Sequence, residues 1–213
     1  MLDWVRSGAQ EDRIASVMLR GFEKYRDAVK RIFAGDIVPY SGIVQTAEGS
    51  YEGEVIEKAC YRRGGLVFLY KSYAAADVLE DQFPTQLFIR LIENLFRGYL
   101  AEIGYGAYDR LWMDACWAVC QRSGDYGTLH NHLPLDYDGH ARFSGILYLS
   151  MPHSITPSTF PNGCLHIVAG ESVLYFPPVP GTALFWPSKL LHGIHPFRGR
   201  GDRLAIAFDV AVS

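Results

Sequence analysis

The C-terminal half of the chain, from about Asp109 onward, consists of short apolar or aromatic runs separated by Gly, Pro, Ser and Asn. Runs of this length between turn residues are typical of β-strands. Seven of them fall within about a hundred residues: LWMDACWAVCQ, RFSGILYLS, CLHIV, SVLYF, TALFW, LLHGIH and RLAIAFDVA. So many short strands in one stretch predict a β-sandwich or barrel.

Helical spacing of apolar residues appears instead in two parts of the first 109 residues. Residues 11–34 repeat apolar positions at helical intervals, and a second such run covers residues 84–103. Short extended pieces, such as residues 66–70, lie between them. Residues 1–109 are therefore predicted to be mainly helical, and the helices are expected to support one sheet of the β-rich part.

The chain contains no internal repeat, low-complexity tract or flexible linker. At 213 residues it is long enough for one sizeable domain with its own core. We therefore expect a single α+β, mainly β domain over residues 1–213. In it, residues 1–109 form the supporting region and residues 110–213 form the β core.

Composition and charge narrow the class of partner. Hydrophobic residues make up 49% of the chain, so a folded protein is expected. The formal net charge is −3, which gives no basic field for nucleic acid or anionic lipid. No run reaches the ~20 apolar residues of a membrane span, and the N-terminus lacks the plan of a signal peptide. These features predict a cytoplasmic protein with a small-molecule or protein substrate and no nucleic-acid or membrane partner. They leave the oligomeric state open.

All seven histidines lie in the β-rich part, at positions 130, 132, 140, 153, 166, 192 and 195. Side chains at i and i+2 of a strand share one face, so His130 and His132 could present both rings to one metal ion. An isolated His-x-His pair also occurs by chance, with both rings satisfied by hydrogen bonds. The clustering favours a metal site but leaves that alternative open.

Arg203 opens the last apolar run, eleven residues after His192. In a strand, Arg203, Ala205 and Ala207 share one face. Arg203 could lie in water on a polar face, or it could point into a cavity kept open by the two alanines, where its guanidinium could clamp a carboxylate. The alternation alone favours the first interpretation.

Four motifs occur in a specific order: HNH at residues 130–132, SGILYL at 144–149, FWPSKLLH at 185–192 and DRLAIAF at 202–208. In this order they resemble the 2-oxoglutarate-dependent non-haem Fe(II) oxygenases, over roughly residues 112–210. The resemblance implies a double-stranded β-helix, which is a jelly-roll, cupin-like fold.

The same resemblance implies the site and its chemistry. His130 would be the first iron ligand and His192 the distal one, while Arg203 would pair with the far carboxylate of 2-oxoglutarate. Tyr148 is a second candidate for holding that carboxylate. With Fe(II), 2-oxoglutarate and O2, such an enzyme is expected to hydroxylate its substrate and to release succinate and carbon dioxide.

The chain departs from the superfamily pattern at the second position of the motif. These oxygenases usually have His-x-Asp or His-x-Glu, whereas this chain has His132 where the carboxylate belongs. Either His132 is the third ligand, or Asp136 or Asp138 supplies a carboxylate after the bend at Pro134. An i, i+2 pair needs no special loop geometry, so we prefer His132.

Two other functions are compatible with the same residues. One is a cupin-type three-histidine metalloenzyme that uses no 2-oxoglutarate. The other is a non-catalytic jelly-roll binding module in which the histidines only pack or form hydrogen bonds.

The chain departs from the superfamily pattern at two further positions, which bear on co-substrate binding. Ala205 and Trp186 stand where a serine and a proline are expected.

Overall fold

The computed structural model describes residues 5–7, 13–34, 41–46, 49–54, 65–71, 83–132 and 139–213. In these residues the chain forms two α-helices and thirteen β-strands. In chain order they are β1 (Val5–Ser7), β2 (Ile14–Met18), α1 (Glu23–Phe33), β3 (Ser41–Thr46), β4 (Gly49–Glu54), β5 (Gly65–Lys71), α2 (Thr85–Glu102), β6 (Leu111–Gln121), β7 (Gly127–His130), β8 (Ala141–Ser150), β9 (Leu165–Ala169), β10 (Ser172–Phe176), β11 (Thr182–Pro187), β12 (His192–Ile194) and β13 (Arg203–Val212).

The strands form two main sheets and a hairpin. The larger sheet has the order β1-β2-β11-β8-β13-β6-β5, the smaller one has the order β10-β9-β12-β7, and β3 pairs with β4. From β6 to β13 the chain passes back and forth between the two main sheets, with antiparallel pairing inside each. This arrangement is the double-stranded β-helix, or jelly roll, and it confirms the predicted fold class.

Strand β13 runs through the middle of the larger sheet, between β8 and β6. Its alternating side chains enter two separate cores. Leu204, Ile206 and Phe208 join a core shared with both helices, whereas Ala205 joins a smaller apolar cluster that contains residues of both sheets. Both faces of β13 are therefore largely covered, and only Ala207 and Asp209 are partly exposed.

Helix α2 covers the outer face of the larger sheet with aromatic side chains. Phe96 lies 5.3 Å from Phe143 and 5.4 Å from Phe185, and Phe88 lies 6.1 Å from Phe208, measured between ring centroids. Edge-to-face contacts of this kind add about 0.5–1.5 kcal/mol per pair beyond area burial. The structure confirms the predicted second helix, and neither helix of the described residues combines the length and hydropathy that crossing a membrane requires.

The prediction of one helix over residues 11–34 is wrong in its first part. Ile14–Met18 forms strand β2, which pairs with β11 and β1, and helix α1 begins only at Glu23. Gly21, with a φ of +71°, lies between the two elements. The apolar spacing of IASVM suits either structure, and the free edge of β11 supplies the hydrogen-bond partners that decide for a strand.

The description of residues 1–109 as mainly helical is also corrected. Strands β1 to β5 all lie in this region beside the two helices. Three of them, β1, β2 and β5, extend the larger sheet at its two edges. The N-terminal region therefore supports the β core both with helices on its outer face and with additional strands.

Candidate metal centre and carboxylate pocket

His130 and His192 come together because their strands are neighbours in the smaller sheet. Strand β7 pairs with β12 so that His130 lies directly opposite His192. Their ring centroids are 4.5 Å apart. His192 is buried with a relative exposure of 5%, while His130 lies at the exposed end of β7. Antiparallel pairing thus joins two imidazoles that are far apart in sequence.

His132 completes the cluster, although it does not share a strand with His130. Strand β7 ends at His130, and the His132 backbone N–H donates a hydrogen bond to the Ser188 carbonyl at 3.1 Å. The His132 ring centroid nevertheless lies 4.9 Å from those of both His130 and His192. The two rings lie close together, as the i, i+2 spacing predicted. The reason differs, because the chain past the end of β7, and not strand alternation, orients His132.

The hydrogen bonds of the three Nδ1 atoms fix how the rings are oriented. His130 Nδ1 lies 2.6 Å from the Thr128 carbonyl, and His192 Nδ1 lies 3.0 Å from the Leu190 carbonyl. His132 Nδ1 lies 2.8 Å from a carboxylate oxygen of Asp209. The partners of His130 and His132 in these contacts only accept, so the contacts assign a donating N–H to these two Nδ1 atoms and an unshared electron pair to their Nε2 atoms. His192 Nδ1 lies between the Leu190 carbonyl and the Trp186 indole, whose Nε1–H donates to it at 3.3 Å.

The ligand nitrogens of the three histidines lie within 4.8 Å of one another. The Nε2 atoms of His130 and His132 are only 2.9 Å apart. Two nitrogens that bind one divalent ion at 2.0–2.1 Å and at right angles are about 3 Å apart. The spacing and the donor atoms therefore fit a metal ion, and these three residues could hold one.

The protonation states also suit metal binding. Burial is the main cause that lowers the pKa of His192 to about 3; the hydrogen bond with the Leu190 carbonyl acts in the opposite direction, and the neighbouring imidazoles add a smaller lowering effect. Burial also lowers the pKa of His130. Both rings are therefore neutral near pH 7, which is the state that a metal ligand requires.

Sequence reasoning missed the carboxylate of this site. Asp136 and Asp138, the predicted alternative ligands, lie outside the described residues. The carboxylate that meets His132 belongs to Asp209, on the same face of β13 as Arg203 and Ala205. An acid in the middle of the otherwise apolar RLAIAFDVAV run was the available signal.

Arg203 is fully buried, with a relative exposure of 0%. The interpretation that the strand alternation alone favoured, with Arg203 in water, is wrong because β13 is a central strand packed on both faces. Nη1 donates a 2.6 Å hydrogen bond to Gln121 Oε1. Among the described residues, Nε and Nη2 have no hydrogen-bond partner. A buried cation with two unpaired N–H groups directed into the interior requires an acceptor.

Tyr148 lies beside this arginine. The guanidinium carbon of Arg203 is 5.1 Å from the centroid of the Tyr148 ring, and the Tyr148 hydroxyl also has no hydrogen-bond partner among the described residues. Burial raises the pKa of the hydroxyl to about 12, more than the neighbouring guanidinium lowers it. Tyr148 and Arg203 thus offer several buried donors in one place, a combination suited to a carboxylate.

The metal centre and the Arg203–Tyr148 pair border the same apolar cluster between the two sheets. Tyr148, Trp186 and Ala205 belong to the same inter-sheet apolar cluster. The Trp186 ring lies 4.9 Å from the His192 ring, whereas the Tyr148 ring faces Arg203. One molecule between the sheets could therefore reach both groups.

The other histidines stay outside this arrangement. As the strand alternation predicts, His195 lies away from His192, and its ring contacts that of His166 at 4.6 Å. His140 packs against Trp112, and His153 is exposed. The structure therefore separates three histidines of the site from four that serve elsewhere.

The fold and the site together define a class, a double-stranded β-helix that carries a histidine cluster and a buried arginine between its sheets. Comparison with known proteins gives the family. Residues 115–209 match the family model described as "Putative 2OG-Fe(II) oxygenase". A PKHD-type hydroxylase from Sphingopyxis alaskensis is 30% identical over 155 residues, which cover 71% of this chain and 57% of that protein. The chain belongs to the 2OG-Fe(II) oxygenase superfamily, and it spans little more than half the length of that relative.

Solved structures agree on the fold. A 2OG-Fe(II) oxygenase family protein from Burkholderia pseudomallei superposes with a TM-score of 0.56 at 13% identity, covering 92% of this chain and 84% of its own. A prolyl-4-hydroxylase from Pseudomonas putida gives 0.53 at 12% identity, covering 100% and 92%. The carbocyclase SnoK from nogalamycin biosynthesis gives 0.61 at 12% identity, covering 96% and 81%.

Proposed function

We propose that this chain is a non-haem Fe(II)- and 2-oxoglutarate-dependent dioxygenase. In this proposal it hydroxylates a small-molecule or protein substrate and releases succinate and carbon dioxide. The observation that carries the proposal is that three convergent imidazoles and a buried arginine with two unpaired donors border one inter-sheet apolar cluster. The first group suits a metal ion, and the second suits an anionic co-substrate.

In this assignment His130, His132 and His192 hold the iron through Nε2. Their Nδ1 hydrogen bonds keep each ring turned toward the shared centre before any metal arrives. Such preorganisation lowers the entropy that metal binding must otherwise overcome. With three protein ligands on the ion, coordination positions stay open for the co-substrate and for dioxygen.

Arg203 and Tyr148 bind the far carboxylate of 2-oxoglutarate. Arg203 donates from Nε and Nη2, the two atoms left unpaired, while Gln121 accepts from Nη1 and so holds the guanidinium plane in place. The Tyr148 hydroxyl, neutral because its pKa is about 12, can donate a third hydrogen bond. Charge-assisted hydrogen bonds in a buried site are the strong kind.

When bound, the iron and 2-oxoglutarate supply oxidative decarboxylation of the keto acid, coupled to hydroxylation of the substrate. Two indoles pack against the imidazoles. Trp117 lies 5.6 Å from the His132 ring, and Trp186 lies 4.9 Å from the His192 ring, measured between centroids. These contacts cover part of the His132 and His192 rings, whereas His130 stays exposed.

Anaerobic titration tests the proposal. Protein loaded with Fe(II) under anaerobic conditions should develop a visible absorption band when 2-oxoglutarate is added, and it should form succinate once air is admitted. Arg203→Gln should bind iron but lose the 2-oxoglutarate response. Absence of both the band and the succinate in the wild-type protein would reject the proposed function.

The three-histidine donor set also favours a second candidate, a cupin-type metalloenzyme that uses no keto acid. It shares the metal centre but assigns no role to the buried arginine. For such an enzyme, Arg203→Gln would leave metal-dependent ligand binding unchanged. The same titration therefore separates the two candidates, and a wild-type chain that holds no iron would instead indicate a non-catalytic binding module.

We also propose that residues 1–213 act as one domain, because both helices pack on the larger sheet and β1, β2 and β5 belong to it. A cytoplasmic location is proposed as well. Cys164 is a buried free thiol. Unpaired cysteines are typical of a reducing compartment.

A further inference from the structure

Asp209 is a charged side chain inside the larger sheet, and its two oxygens have specific partners. His132 Nδ1 lies 2.8 Å from Oδ1 and 3.0 Å from Oδ2. Ser144 Oγ donates to Oδ1 at 2.7 Å. The Ser144 hydroxyl also lies 2.7 Å from Ser188 Oγ, and Ser188 is completely buried. Ser144 and the His132 imidazole thus hold the carboxylate directly, and Ser188 acts only through Ser144.

The three histidines differ in what their Nδ1 atoms meet. His130 Nδ1 meets the Thr128 carbonyl, and His192 Nδ1 meets the Leu190 carbonyl and the Trp186 indole N–H, none of which carries a net charge. Only His132 donates to a carboxylate. A hydrogen bond to an ionised acceptor is roughly twice as strong as a neutral one, and it makes the imidazole a better electron donor at Nε2.

His132 stands where relatives of this superfamily usually place an acid. We propose that Asp209 is a positioning residue that acts through His132 and supplies the metal centre with the negative charge that an acid at position 132 would supply directly. The carboxylate lies one imidazole away from the ion instead of touching it. This inference rests on the proposed function only in taking His132 as a metal ligand.

The packing around Asp209 supports this role. The His132 and Asp209 side chains are each only 19% exposed, so water weakens their interaction much less than it would at the surface. Asp209 also lies in a central strand, between β6 and β8, and its backbone position is therefore held from both sides. Second-sphere carboxylates held in this way typically change metal affinity 10- to 100-fold.

Co(II) titration of the purified protein tests the inference without relying on turnover. Asp209→Asn keeps the shape of the side chain and removes its charge. We expect it to bind Co(II) about 10- to 100-fold more weakly than the wild-type protein. The Co(II) absorption band should keep its wild-type shape, because the three ligands are unchanged. A loss of affinity without a change of band shape separates positioning through charge from general damage to the site.

Asp114→Asn is the matched control. Asp114 lies in strand β6 of the same sheet and pairs with Arg142 at 2.6 Å, outside the histidine cluster. Its Co(II) affinity should equal that of the wild-type protein. If Asp209→Asn does not fold, Ser144→Ala replaces it, because it removes one hydrogen bond to the same carboxylate. Severalfold weaker binding by Ser144→Ala supports the inference, and unchanged binding overturns it.

The outcomes separate this inference from the proposed function. Equal Co(II) affinities for the wild-type protein and Asp209→Asn would overturn the role of Asp209 and leave the three-histidine centre intact. A wild-type protein that binds no Co(II) would overturn both. A second measurement is the Fe(III)/Fe(II) reduction potential of Asp209→Asn. Removal of the negative charge should shift this potential to more positive values. A potential equal to that of the wild-type protein counts against the role of Asp209.

Discussion

The Nε2 atoms of His130 and His132 lie 2.9 Å apart, and each carries an unshared electron pair when Nδ1 holds the proton. Two neutral acceptors at this distance repel, and a cation bound by both would remove this repulsion. The Nδ1 hydrogen bonds to Thr128 and Asp209 prevent either ring from turning away. The chain therefore prepares the site before the ion binds.

Metal binding should stabilise the fold. At a free Co(II) concentration of a hundred times Kd, the free energy of unfolding should rise by about 2.7 kcal/mol, because the ion binds the folded chain and not the unfolded one. The midpoint of thermal unfolding, with and without Co(II), measures this effect. His192→Ala should abolish the shift, whereas His195→Ala, three residues away and in contact with His166 instead, should retain it. A full shift in His192→Ala would contradict the assigned ligand set.

Arg203→Lys should weaken 2-oxoglutarate binding by about tenfold to a hundredfold, since hydrogen bonds to a charged group contribute about 1.5–3 kcal/mol. Lysine keeps the positive charge but lacks the planar guanidinium, which can donate to Gln121 and to a carboxylate at the same time. Isothermal titration of the metal-loaded protein with 2-oxoglutarate measures the change. Arg122→Lys is the control, because Arg122 pairs with Asp202 at 3.4 Å near the surface. Equal losses in both variants would point to a general charge effect.

Tyr148→Phe should separate stability from binding. In the protein without co-substrate, the Tyr148 hydroxyl is buried and has no hydrogen-bond partner among the described residues. Its removal should leave the free energy of unfolding unchanged or raise it, because an unsatisfied buried hydroxyl is unfavourable. Affinity for 2-oxoglutarate should fall. Urea denaturation and co-substrate titration together check both effects, and a large loss of stability would indicate that the hydroxyl has another role.

The same hydroxyl predicts a pH dependence. The pKa of Tyr148 is about 12 in the folded chain, whereas tyrosine in an unfolded chain titrates near 10. Between about pH 10 and pH 12 the folded state therefore binds more protons, so its stability falls as the pH rises through this window. The slope of unfolding free energy against pH should be steeper for the wild-type protein than for Tyr148→Phe. Parallel slopes would contradict the shift.

Gly145→Ala should destabilise the chain by about 1–3 kcal/mol, as overpacking a core does. A Cβ at position 145 would press against the Phe208 ring and lie 2.7 Å from the Leu184 carbonyl oxygen, on both neighbouring strands of β8. Gly106→Ala is the control, since a Cβ there meets no atom of the described residues within 4 Å. Urea denaturation of both variants measures the difference, and equal stabilities would contradict the close packing.

Local patterns were sufficient for much of the fold. The apolar period of residues 84–103 predicted helix α2, and the short runs after Asp109 predicted the strands of the β core. Ile14–Met18 was misassigned because five residues with this spacing fit a helix or a strand equally well. Only the unpaired edge of β11 distinguishes the two, and that edge is a long-range feature.

The sequence by itself determined the jelly-roll class, the His-x-His pair, the distal His192 and the late Arg203, since each depends on residue type and order. The tertiary structure alone decided how these residues are arranged. Pairing of β7 with β12 joins His130 to His192, and the central position of β13 buries Arg203 and brings Asp209 to His132. The physical reason is that burial and charge pairing depend on which strands become neighbours, and hydrogen bonds between distant segments set that order.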